Sequence, residues 1–196
     1  MLIIDIEASG TDSRVHGILS IGAVDFLNPE RQFYGECRLW EGARIMEEAL
    51  EVNGFTYEEV TDIEKQSEEE LLYKFRSWFN EARDHTLAGQ NAHFDLSFLI
   101  AGCRRNGIDI SFAHRIVDLH SIAFYHMVTG GIEPPTHNRR SDIDSNMIMN
   151  YVGIPEEPRP HHALNGAIWE AEAIHRLFFN SPLFDVFKDR SIPWVG

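Results

Sequence analysis

The segment Leu2-Ile-Ile-Asp-Ile-Glu7 constrains this chain more than any other. A short apolar run of this kind reads as a strand covered on both faces, the inner strand of a sheet flanked by helices. Alternate side chains of a strand leave on opposite faces, so Asp5 and Glu7 share one face while Leu2, Ile4 and Ile6 share the other. Carboxylates at the end of a buried strand are costly unless the strand frays into solvent at residue 5 or a cation neutralises them. Mg²⁺ suits the second case, because it takes a few carboxylate oxygens and keeps waters or substrate phosphates on its other positions.

The rest of the pattern extends that strand into a mixed α/β architecture. Ile18 to Phe26 and Gln32 to Leu39, separated by Asn28-Pro29, complete an opening meander of three antiparallel strands. Helical periodicity follows over 43–52, then from Ser67, where Ser67 and Glu70 form a capping box ahead of Leu71, Leu72, Phe75, Trp78 and Phe79. Short strands are expected at 86–89 and 115–118, and helices at 95–105, 119–127, about 142–151 and 163–179. The stretch 131–140, with Pro134-Pro135, reads as a loop, and Phe33, Trp40, Trp78, Phe178 and Phe179 as core. Strands clustered early and then alternating with helices predict one α/β domain over 1–196, a mixed sheet of about five strands flanked by helices.

Charge at first argues against a nucleic-acid partner. The 196 residues carry 31 Asp and Glu against 17 Lys and Arg, a formal net charge of −14, so the surface lacks the basic footprint of ordinary DNA binding. Two widely spaced cysteines, Cys37 and Cys103, give neither a disulfide framework nor a zinc site, and reduced thiols in a cytoplasmic protein are the default. No basic leader or bilayer-length apolar run is evident, so no membrane partner is expected.

Two later segments join the first in carrying chemistry. Gln90-Asn-Ala-His-Phe-Asp95 lies at a strand-to-helix junction, where open α/β sheets place ligands, although Asp95 could serve only as a helix cap. Pro160-His-His-Ala-Leu-Asn-Gly166 puts a histidine just ahead of a helix, a position suited to a general base or to a plain surface residue. Taken together, Asp5-Ile-Glu-Ala-Ser-Gly10, Ser20-Ile-Gly-Ala-Val24, Asn91-Ala-His-Phe-Asp95 and His161-His-Ala-Leu-Asn-Gly-Ala167 resemble the motifs of the DEDDh family of 3′-to-5′ exonucleases, over nearly the whole chain. That resemblance implies a ribonuclease-H-like fold, Asp5, Glu7 and Asp95 as metal ligands, and His161 as general base. It also implies substrate contacts at Ala8, Ser9, Gly10, Asn91 and Phe94, and a tendency to form homodimers.

The sequence departs from the family at one place. The third motif normally carries an Asp five residues after its His, and position 166 is Gly. At about 100° per residue, Glu170 lies roughly 40° around the helix from position 166, whereas Glu172 lies roughly 240° around, across the apolar stripe. Helical side chains slant toward the N-terminus, so Glu170 can reach back over a glycine. Gly166 with Glu170 therefore reads as a carboxylate moved one turn and lengthened by a methylene; the competing reading leaves Glu170 solvated, with Asn165 or water as ligand. The basic pairs Arg104-Arg105 and Arg139-Arg140 could meet phosphates but read more simply as surface.

The expected activity is removal of nucleotides from single-stranded 3′ ends with two Mg²⁺ or Mn²⁺ ions, Asp5 bridging both, Glu7, Asp95 and Glu170 completing the set and His161 taking the proton of the attacking water. Bound cations invert the local sign, which reconciles the acidity with a polyanionic substrate. Two other readings stay open: a nucleic-acid-binding module that has lost turnover, for which Gly166 speaks, and an oligoribonuclease for very short RNA. Nothing in the sequence separates DNA from RNA.

Overall fold

The computed structural model describes residues 1–195. Three strands, β1 (Leu2–Ala8), β2 (Ile18–Asp25) and β3 (Gln32–Glu36), form the antiparallel meander, and β4 (Leu87–Gly89) and β5 (Val117–Asp118) add to it in parallel, giving the order β3-β2-β1-β4-β5. The register sets Asp5 opposite Gly22, itself opposite Tyr34, and Glu7 opposite Ser20, itself opposite Glu36. β4 pairs only with Leu2 and Ile3, so the carboxylate-bearing half of β1 runs beyond its parallel neighbour. This places the ionisable residues at the sheet's open C-terminal end, where α/β folds admit ligands.

Helices cover both faces. α1 (Glu47–Asn53), α2 (Tyr57–Thr61), α3 (Glu68–Asn80) and α4 (His93–Arg105) precede α5 (Leu119–Thr129), α6 (Ser145–Val152) and α7 (Ala163–Phe179). Leu2, Ile4 and Ile6 pack with Leu71, Phe75 and Leu99 of α3 and α4. Ile3 and Val24 pack on the other face with Ala167, Ala171 and Ile174 of α7. The period-2 alternation of β1 thus divides the molecule into two cores and leaves Asp5 and Glu7 on the α7 side. There α7 comes so close to β2 that a Cβ on Gly22 would lie 2.1 Å from the Ala163 carbonyl, which restricts position 22 to glycine.

Several local expectations shift for identifiable reasons. The first helix starts at Glu47 rather than 43, because Arg44 donates to the Val15 carbonyl and Met46 to that of Ser9, holding 43–46 extended against the 9–16 loop. Thr56 and Glu59 form a second capping box and nucleate the short α2, an element the apolar pattern does not reveal. α4 begins at His93, so Asp95 sits inside its first turn and is not its cap. Within 131–140 lies part of a small hairpin, β6 (Thr136–His137) with β7 (Arg140–Ser141), turned by Asn138 and Arg139 at positive φ. Phe178 and Phe179, read as core, are exposed at the end of α7. Among the described residues no helix is long and apolar enough to cross a membrane.

The C-terminal half of α7 is fixed by a buried ion pair. Glu172 accepts from Arg176 Nε at 2.6 Å and from the backbone N–H groups of Leu183 and Phe184, while Arg176 donates to the carbonyls of Val152 and Phe187. Both side chains are fully buried, so removing one partner strands the other's charge. Glu172→Ala should lower unfolding stability by about 3–5 kcal/mol. The urea midpoint measures this, and a drop well below that range would show that water reaches the pair.

Candidate active site

The open end of β1 collects four carboxylates from three elements. Asp5 and Glu7 come from β1, Asp95 from the first turn of α4 and Glu170 from α7; Glu7, Asp95 and Glu170 are buried and Asp5 is half-buried. Asp95 Oδ1 accepts the Ile6 backbone N–H at 2.9 Å, tying α4 to β1 beyond the end of β4. Glu170 reaches the end of β4, its Oε2 lying 3.0 Å from where a Cβ on Gly89 would stand. That oxygen has no hydrogen-bond partner.

Burial dominates the electrostatics and mutual repulsion adds to it. Asp5 is pushed up to about 7 by desolvation and then by the nearby Glu157 carboxylate. Glu7 is pushed up to about 9 by desolvation, then by Asp5, Glu157 and Asp95. Asp95 and Glu170 are also raised well above the carboxylate range by desolvation, with Asp5 the next cause for both and Asp95 a further one for Glu170. Like charges in one low-dielectric pocket favour the neutral acids until a cation enters.

Gly166 acquires a steric explanation. A Cβ there would stand 2.0 Å from Asp5 Oδ2, so any side chain at 166 collides with Asp5 as it is placed. Glu170, one turn on, approaches the same carboxylates over that bare backbone, whereas Asn165 faces a different cavity and Glu172 belongs to the ion pair with Arg176. The four hard oxygen donors, the unpartnered Glu170 Oε2 and the shared repulsion fit a divalent cation. Among the described residues no three His, Cys, Asp or Glu side chains form a ready-made metal cage. Mg²⁺, which retains waters and needs only one or two carboxylates, does not require one.

Beside the carboxylates stand His161 and His162 of the third motif, and Glu157, which no sequence motif flagged. The His161 backbone N–H donates to the Val52 carbonyl, which holds the residue against α1, and its side chain remains 31% exposed. Its Nδ1 lies 3.3 Å from Glu157 Oε2. His162 stacks on Tyr34 with ring centroids 4.2 Å apart. Ser20, Tyr34, His161, His162 and Asn165 line part of a cavity of about 440 Å³. Glu157, in the Pro-rich turn four residues before His161, had no signal in the sequence beyond that spacing.

The expected substrate contacts divide. Ala8, Gly10 and Phe94 line a hollow of about 190 Å³ with Glu7 and Val52. Asn91, at positive φ, lines a separate cavity with Gln90 and His120. Ser9 is fully buried, accepting from the Gly17 N–H and donating to the Arg44 carbonyl, so its hydroxyl holds the loop and does not face the hollow. Arg105 is bound to Glu68, while Arg139 and Arg140 are exposed on the β6–β7 hairpin.

The raised acids predict a pH dependence. Unfolded, Asp5 and Glu7 ionise near 3.8 and 4.5; folded, they hold their protons to about 7 and about 9. Between those limits the folded chain binds more protons than the unfolded one, so in metal-free buffer the urea midpoint should fall as pH rises from 5 to 8.5. Added Mg²⁺ or Mn²⁺ should narrow the gap, and Glu7→Gln should flatten it; a midpoint that rises over this range would contradict the electrostatics. Gly166→Ala should displace Asp5 and weaken Mn²⁺ binding by calorimetry about tenfold or more, and unchanged affinity would separate Asp5 from the cation.

Comparison with known proteins gives the family and the fold. Residues 2–165 match the RNase_T family model, described as exonuclease, so the match stops one residue before Gly166. Among solved structures, Exonuclease I of E. coli in complex with a dA16 oligonucleotide superposes with a TM-score of 0.70 at 20% identity, over 90% of this chain and 40% of that one. A product-bound exonuclease I gives 0.70 at 20%, over 90% and 42%. The nuclease domain of 3′hExo, a DEDDh family member bound to rAMP, gives 0.68 at 18%, over 90% of each chain. The chain therefore spans about 40% of the Exonuclease I chains, and the likeness is one of fold, the ribonuclease-H-like exonuclease fold. By its family match over residues 2–165, the chain belongs to the RNase_T exonuclease family.

Proposed function

We propose that this chain is a single-domain, divalent-metal-dependent 3′-to-5′ exonuclease acting on single-stranded DNA or RNA. The observation that carries this reading is the set of mutually repelling carboxylates, Glu7, Asp95 and Glu170 buried and Asp5 half-buried, beside a partly exposed His161. The solved neighbours support the substrate class, since Exonuclease I was captured with a dA16 oligonucleotide and 3′hExo with rAMP.

Two Mg²⁺ or Mn²⁺ ions held by Asp5, Glu7, Asp95 and Glu170 would supply an ionised water and stabilise the departing 3′ oxygen. Asp5, central to the repulsion felt by the other three, would be the ligand whose loss costs metal binding most. The hollow bounded by Ala8, Gly10 and Phe94 accommodates a terminal base or sugar against Glu7, and the half-buried Phe94 offers it an apolar wall. His161 reaches solvent through its exposed edge and accepts the proton of the attacking water. Gly166 does not argue for lost turnover, because the volume above it is already filled by Asp5 and a carboxylate is available at Glu170. The two buried free cysteines are consistent with a cytoplasmic setting.

The test is release of mononucleotides from single-stranded DNA and RNA, labelled at the 3′ end, with Mg²⁺ or Mn²⁺. Folded protein inactive on both would overturn the reading. Asp5→Ala should abolish activity, and Glu170→Gln should lower it at least about 100-fold, the scale of losing one electrostatic contact to a transition state. Full activity in Glu170→Gln together with loss in Asn165→Ala would move the fourth ligand to Asn165. Release of mononucleotides from dinucleotides much faster than from 20-mers would narrow the substrate to short oligomers.

A further inference from the structure

We propose that Glu157 is a positioning residue for His161, accepting a hydrogen bond from the ring's Nδ1 and so leaving Nε2 as the basic nitrogen. The assignment rests on the exonuclease reading for the task of His161, but the Glu157–His161 contact stands by itself. Glu157 Oε1 accepts the His162 backbone N–H at 3.2 Å, which anchors the carboxylate, and its Oε2 stands 3.3 Å from Nδ1, within reach of a hydrogen bond after a small turn of the ring. Its side chain is only 8% exposed, and no lysine or arginine among the described residues pairs with it.

Such a burial is expensive for a residue with no task. The charged groups facing Glu157 are His161 and His162 on its own segment and Asp5, Glu7 and Glu170 across the pocket. A carboxylate that shares a pocket with three others is destabilised, and the His162 backbone N–H and the His161 ring are the groups at hand to offset it. A neutral imidazole has one donor nitrogen and one acceptor, and an anion at Nδ1 draws the proton there. The Nε2 lone pair is then free for the proton of an attacking water. The main chain that carries the ring is also held, since His161 N–H is bound to Val52 and His162 N–H to Glu157 itself. The logic is that of any base oriented by a third group, with the orienting acid supplied from four residues upstream.

The opposed role for Glu157 is a fifth carboxylate that binds the cations, and three variants of the full chain separate the two. Glu157→Gln keeps an acceptor, Glu157→Leu keeps bulk without one, and Glu157→Ala is a second acceptor-free replacement. The first readout is the long-range ¹H–¹⁵N correlation spectrum of the metal-free protein with its histidines neutral, His161 being assigned by its loss in His161→Gln. The Nδ1–H tautomer should dominate in the original chain and in Glu157→Gln, and give way to a mixture in the Leu and Ala variants. The second readout is steady-state mononucleotide release. Leu and Ala should lower kcat by about 10–100-fold, with KM within twofold, the half-saturating Mn²⁺ concentration unchanged, and Gln recovering most of the loss.

An unaltered tautomer in both the Leu and Ala variants would overturn the proposal. So would a tenfold rise in half-saturating Mn²⁺ with kcat restored at high metal, the signature of a lost ligand. Should the original chain hydrolyse neither DNA nor RNA, the exonuclease reading fails. The tautomer comparison then decides the positioning role without it.

Discussion

The structure depends on how closely α7 approaches the carboxylate-bearing end of β1. That approach takes Asp5, Glu7, Asp95 and Glu170 out of water together, and in a shared low-dielectric pocket each raises the energy of the others' charged forms. Two glycines make it geometrically possible. Gly22 admits the first turn of α7 onto β2, and Gly166 leaves room for the Asp5 carboxylate where a side chain would otherwise stand. The pocket is thus a strained electrostatic arrangement held by hydrophobic packing on either side of the sheet, which a divalent cation can relieve.

α7 also shows how two similar residues two positions apart acquire opposite tasks. Glu170 turns toward the sheet and keeps an oxygen without a partner, while Glu172 turns toward the C-terminal segment and has every oxygen engaged. The first is costly to stability and leaves an oxygen free to meet a ligand. The second anchors residues 183–184 and, through Arg176, the turn at Phe187. Rigidity at one end of the helix supports the pocket at the other, since a shift of α7 would move Glu170 and Gly166 together.

The net charge of −14 takes its meaning from this arrangement. A protein that held nucleic acid by a broad basic surface would need the reverse sign, but one that acts at a single terminus needs only local attraction. In the proposed reading, cations held by the acidic pocket would supply that attraction, and the exposed arginines of the β6–β7 hairpin lie outside it.

The three-strand meander, the alternation that splits β1 between two cores and the helical repeat of α3 were legible because side-chain period and capping chemistry are local. So was the ordered set of motifs around Asp5, Asp95 and His161. The helical angle between positions 166, 170 and 172 likewise follows from sequence separation alone. Other features were beyond reach. The short α2, the extended 43–46 segment and the exposure of Phe178 and Phe179 depend on which distant backbone groups or surfaces meet them. Glu157 is the clearest case, because its spacing to His161 is common in any turn and only folding brings it against Asp5 and Glu7. Local periodicity fixes which side chains can share a face. Which faces meet follows from folding, because it depends on the close approach of α7 to β1 and β2, a distance no local pattern encodes.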